Sequence, residues 1–108
     1  MMKKYIFLIS FFFTTLYSKT SNSVDCIILE DENSIICKYI HTRLPQEHKV
    51  IVQWIDPLNN ISRKREMTIP AYHGSIYDYR YIQGRIKGVW RFEVIDNNKK
   101  YSTTFELK

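Results

Sequence analysis

The 108-residue chain lacks the signatures of catalysis. It has no Gly-x-Ser-x-Gly elbow, and its three glycines form no phosphate cradle between a strand and a helix. The carboxylates are scattered, and no pair of them invites acid and base roles. His73, Ser75 and Asp78 lie close in sequence, but on a strand Ser75 and Asp78 point to opposite faces. With only two cysteines, the chain has neither a Cys-x-x-Cys redox motif nor a standard zinc pattern. His41, Glu47 and His48 are the best metal candidates, but their spacing fits no known ligand set and favours solvated loop histidines. Helical periodicity, internal repeats and low-complexity stretches are all missing after the first eighteen residues. These gaps argue against an enzyme, a cofactor protein and a metal protein, and the length leaves room for one domain.

What is present begins with an export signal. Lys3 and Lys4 precede an uncharged run from Tyr5 to Leu16 that includes Ile6, Phe7, Leu8, Ile9, Phe11, Phe12 and Phe13. That run has the length of a signal-peptide core and is short for a membrane-spanning helix. Leu16-Tyr17-Ser18 places a small residue at the cut, giving a signal peptide over 1–18 and a mature domain over 19–108. The alternative is an uncleaved anchor helix. A lipid anchor at Cys26 does not fit, because Val24-Asp25 precedes it where small residues are required. The sequence therefore predicts a periplasmic or secreted protein with no stable membrane anchor after cleavage. Loss of Lys3 and Lys4 leaves 14 basic and 11 acidic residues, net +3. The segment 19–62 carries net −2 and the segment 63–108 net +5.

The mature chain reads as short β runs broken by turn residues. Val24 to Leu29 and Ile35 to Ile40 flank the polar turn Glu30-Asp31-Glu32-Asn33-Ser34. Centring the turn between Asp31 and Glu32 sets Cys26 opposite Cys37, Ile28 opposite Ile35 and Val24 opposite Tyr39 on one face. The other face then pairs Asp25 with Lys38 and Ile27 with Ile36. A slip of one residue would lose the apolar face, the ion pair and the cysteine pair together. A Cys26–Cys37 disulfide follows, which suits an exported protein. Further runs are Val50 to Ile55, Ile61 to Ile69, Ile76 to Ile82, Val89 to Ile95 and Tyr101 to Leu107. In the fourth run, Ile61, Met67 and Ile69 share a side with Arg63 and Arg65, a mixture that reads as a partly exposed edge strand.

Seven short alternating strands predict an all-β fold, a small immunoglobulin-like β-sandwich of antiparallel strands behind a signal-peptide helix. A small β-barrel is the alternative. The stretch Gly88-Val89-Trp90-Arg91-Phe92-Glu93-Val94, a polar turn, and Tyr101 to Leu107 resembles the last two strands of bacterial immunoglobulin-like modules. The resemblance implies the sandwich architecture. The sequence departs from the antibody pattern in its bridge, which joins the first two strands rather than the second and sixth.

The residues that could form a binding surface are Arg63, Arg65, Arg85 and Lys87, with Tyr77, Tyr79 and Tyr81 on one strand face. Bases among aromatics could hold a polyanion or glycan, or they could be a solvated face over core tyrosines. The leading expectation is a non-enzymatic interaction module for a protein partner in the exporting compartment, bound at a strand edge or on the tyrosine face. The alternatives are binding of an anionic polymer or glycan by the basic C-terminal half, and inhibition of an exported enzyme through the loops at 41–49 or 83–88. No cofactor and no nucleic-acid partner are expected.

Overall fold

The register proposed for the first hairpin forms as predicted. Strands β1 (Ser23–Leu29) and β2 (Ser34–Ile40) pair antiparallel with Cys26 opposite Cys37, Ile28 opposite Ile35, Val24 opposite Tyr39 and Asp25 opposite Lys38. A single 3-10 turn, Glu30–Glu32, joins them, and Asn33 completes it in the left-handed region at φ 53°. The Cys26–Cys37 disulfide is present. The computed structural model describes residues 22–108, so the signal peptide expected over 1–18 and its expected cleavage point lie outside the described residues. Among the described residues, no helix is long and apolar enough to cross a membrane.

Five further strands follow: β3 (His48–Ile55), β4 (Ile61–Ile69), β5 (Ser75–Tyr81), β6 (Gly88–Asp96) and β7 (Lys99–Leu107). Their order is β1-β2-β5 in one sheet and β4-β3-β6-β7 in the other, all antiparallel. Two separate sheets make this a sandwich, so the barrel alternative is set aside. The constant-type immunoglobulin arrangement keeps the fourth strand beside the fifth. Here β4 pairs with β3 instead, so β4 and β5 become facing edges on one open side. Asp96-Asn97-Asn98-Lys99 closes the last hairpin, with positive φ at both asparagines as a two-residue type I′ turn requires.

The core is the set of inward residues that the alternation marks. Val50, Val52 and Trp54 of β3 meet Trp90, Phe92 and Val94 of β6 and Phe105 and Leu107 of β7. Ile35, Cys37 and Tyr39 cover them from β2. Trp54 is fully buried, with edge-on contacts to Phe92 at 5.2 Å and Phe105 at 5.9 Å between ring centroids. One assignment is corrected in β4. A register shift between Trp54 and Ile55 sets Arg63 opposite Trp54 but Ile61 opposite Ile55. Ile61 therefore leaves the inner face and is exposed, while Arg63 and Arg65 remain on the side that faces β5.

A polar link between the sheets lies at one end. The Tyr39 hydroxyl donates to Asp96 Oδ2 at 2.6 Å, and Asn22 Nδ2 donates to the Tyr39 oxygen at 2.9 Å. Burial, and then the Asp96 carboxylate, push the Tyr39 phenol far above its ordinary value. His41 is buried beside Tyr39 and sits edge-on to His48, so it is not the solvated loop residue that its sequence context suggests. Among the described residues, no group of three or more His, Cys, Asp or Glu could hold a metal ion.

Replacing Cys26 and Cys37 together with Ala is expected to lower the unfolding free energy by about 3 kcal/mol. Urea denaturation of the two forms measures this, and coincident midpoints would contradict a structural role for the bridge.

A candidate anion-binding cleft at the open edge

The order of residues along β5 decides what faces the open side. Pairing with β2 places Ile76 opposite Tyr39, Asp78 opposite Cys37 and Arg80 opposite Ile35. Those β2 residues point into the core, so Ile76, Asp78 and Arg80 point inward too. Tyr77, Tyr79 and Tyr81 then face solvent, at 58%, 58% and 59% exposure. The reading of core tyrosines beneath a solvated charged face is thus inverted. The cause is Trp54, whose indole N–H lies in the core and needs an acceptor. Asp78 supplies it: Trp54 Nε1 donates to Asp78 Oδ2 at 2.8 Å, across the gap between the sheets.

The other oxygen of Asp78 gathers cations. The Tyr79 backbone N–H donates to Asp78 Oδ1 at 3.0 Å. Arg63 Nη1 lies 3.4 Å from the same oxygen and Arg65 Nη1 lies 3.7 Å away. Arg63 Nη1 also donates to the Tyr79 carbonyl at 3.3 Å. Arg80 donates to Ser62 Oγ at 2.9 Å, and its guanidinium carbon sits 5.6 Å from the Trp54 ring centroid. Burial first, then Arg85 and Arg63, bring the Arg80 pKa down to about 10. The folded state thus releases this proton more readily than the unfolded chain. The charge on Arg80 opposes folding below that pH, and the penalty lifts only as pH rises through about 10.

These residues enclose a cleft of 330 Å³ lined by Arg63, Arg65, Arg80 and Arg85, by Asp78, and by the three tyrosines of β5. Arg80 Nε and Arg85 Nε are buried without a hydrogen-bond partner. Four guanidiniums, each always charged at neutral pH and built as a fork of donors, line the cleft with one carboxylate. Such an arrangement attracts an oxyanion and offers it paired N–H groups.

Six of the sequence-predicted site residues come together here: Arg63, Arg65, Tyr77, Tyr79, Tyr81 and Arg85. Lys87 does not line the cleft. Cys26 and Cys37 are structural. Asp78 and Arg80 also line the cleft and are not among the sequence-predicted site residues. The available signal was their phase, since both share a strand side with Ile76 and Ile82.

Asp78→Ala is expected to cost about 2–3 kcal/mol, because it strands the Trp54 N–H and leaves the arginines unopposed. Asp78→Asn keeps an acceptor for Trp54 and should cost less. Arg80→Met, which keeps a side chain over Trp54 but drops the charge, should raise the melting temperature at neutral pH. Thermal and urea unfolding of the three variants checks this ranking, and equal stability throughout would contradict it.

Set against known proteins, the chain matches no family model, no curated protein and no solved structure.

Proposed function

We propose that this chain is an exported, non-enzymatic binding module whose edge cleft receives an anionic group of its partner. The observation that carries the reading is a cleft lined by four arginines and a single carboxylate, Asp78, which pairs with only Arg63 and Arg65. A stable core requires counter-ions for Asp78, which Arg63 and Arg65 supply, but not the further charges of Arg80 and Arg85, and the Arg80 charge opposes folding. Sites that break local folding rules are where function is concentrated. Export is supported by the N-terminal sequence pattern, and the Cys26–Cys37 bridge fits an oxidising compartment.

The basic half of the chain is divided in its use. Arg91 donates to Glu93 at 2.7 Å, and Lys100 lies 3.8 Å from the same carboxyl group, so both are engaged on the outer face of the four-stranded sheet. The recognition element is therefore the cleft rather than the whole net-positive segment. Arg85 turns into the cleft, which leaves the 83–88 loop with less to insert into an enzyme target.

A second reading, docking of a protein on the outer face of the three-stranded sheet, is favoured by its open apolar residues. Ile27, Ile40, Tyr77, Tyr79 and Tyr81 are all exposed on that face. Exposed apolar surface of this kind marks contact sites.

Sulfate or phosphate should raise the melting temperature relative to chloride at matched ionic strength. An anion held well above its dissociation constant contributes about 1–3 kcal/mol, which is several degrees for a domain of this size. Arg63→Ala with Arg65→Ala and Arg85→Ala should remove the effect, and Lys87→Ala should retain it. An equal rise in the triple variant would refute the reading.

A further inference from the structure

We propose that the cleft recognises a phosphate or sulfate ester carried on a carbohydrate, with the arginines holding the ester and the tyrosine row of β5 holding the sugar. This rests on the anion-binding reading and names the class of ligand.

The anion end of the site suits an ester oxyanion better than a carboxylate. A carboxylate offers two oxygens, whereas a phosphate or sulfate monoester offers three outside its link to carbon. Beyond the contacts already made to Asp78, Ser62 and the Tyr79 carbonyl, the cleft has guanidinium N–H groups to spare. The Nε atoms of Arg80 and Arg85 are also unpartnered, but they are closed to solvent and meet a ligand only if their side chains turn. Only hydrogen-bond acceptors can satisfy these groups, and charged ones do so most strongly. At 330 Å³ the cleft is at the small end of ligand pockets, which span about 300–1,000 Å³. That size fits an anionic group with part of the unit that carries it.

The edge of β5 argues against an extended acidic peptide. A peptide would add as a strand by pairing with free backbone groups. At Tyr79, in the middle of the site, both groups are already taken: the N–H donates to Asp78 and the carbonyl accepts from Arg63. Side chains that cap an edge in this way block strand addition.

The tyrosines supply the second half of the ligand. Tyr77, Tyr79 and Tyr81 stand on alternate positions, about 6.8 Å apart along the strand, and each is more than half exposed. An aromatic ring gives an apolar face for the C–H surface of a sugar, and its hydroxyl gives a donor and acceptor for sugar hydroxyls. Stacked nucleobases would need ring faces aligned along the row. The Tyr79 and Tyr81 rings instead meet at 83° with centroids 6.3 Å apart. Lys38 lies 5.8 Å from the Tyr77 ring centroid, which extends positive charge along the platform.

Titration calorimetry on the purified, disulfide-bonded protein tests the class. The probes are inorganic sulfate, a sulfated disaccharide, a phosphorylated disaccharide, the unmodified disaccharide, a glutamate-rich peptide and a short oligonucleotide. One or both sugar esters should bind about tenfold or more tighter than inorganic sulfate, and their ratio identifies the ester. The unmodified disaccharide should not bind measurably. In Tyr77→Ala with Tyr81→Ala, both exposed changes, the sugar ester should bind no better than inorganic sulfate. Tighter binding of the peptide or the oligonucleotide, or a tyrosine variant that keeps the full advantage of the sugar, would overturn the ligand class while leaving the anion site standing. Failure of every anion, inorganic sulfate included, would remove both.

Discussion

The hydrogen bond from Trp54 to Asp78 is the contact on which the rest of the structure depends. It joins the middle of the four-stranded sheet to the edge of the three-stranded one, and it places a carboxylate at 5% exposure beside the most buried aromatic of the core. Once that charge is inside, cations must follow it, because an unpaired buried carboxylate is costly. Arg63 and Arg65 arrive from β4, and Arg80 shares the inner side of β5. The arginines then outnumber the acid. A core requirement, one acceptor for one indole N–H, has become a cationic cleft.

The fold exposes this cleft through one departure in strand order. With β4 paired to β3, the edges of β4 and β5 are left facing each other across an unfilled side. At the opposite side β1 packs against β7 and closes the core. The two kinds of cross-link divide the work. The disulfide fixes the register of β1 on β2 within one sheet. The pairs Trp54–Asp78 and Tyr39–Asp96 join the two sheets to each other. The place taken in antibody domains by an inter-sheet disulfide is here taken by hydrogen bonds, one of which also organises the candidate site.

Much of this was legible in the sequence, and the parts that were not have a common cause. The first hairpin was readable because three independent constraints agreed on one register: the apolar face, the Asp25–Lys38 pair and the cysteine pair. Strands β3, β6 and β7 were readable because their inward residues are large and apolar. Six residues of the cleft were named together on charge and aromaticity alone. The phase of strand β5 is not legible in the sequence because either of its faces could pass for an inner one. Its tyrosines suit a core by propensity, and Asp78 and Arg80 suit solvent by charge. Only the pairing with β2, where Cys37 and Ile35 are buried, decides between them, and that pairing spans too much sequence to be seen locally. The shift at Trp54/Ile55 was hidden for a similar reason, since an extra residue in a bulge changes the phase of Ile61 without changing composition. His41 was misplaced because its burial comes from Tyr39 and His48, which only the folded chain brings together.

The central claim is that the guanidinium groups at this edge form a site for an oxyanion and are more than a decorated strand boundary. Nitrogen-15 spectra of the arginine Nε–H groups during titration with inorganic sulfate test it most directly. The account predicts saturable shifts at Arg80 and Arg85, whose Nε atoms are buried and unpartnered, and little change at Arg91, whose Nε already donates to Glu93. Uniform, non-saturating shifts across all the arginines would contradict it.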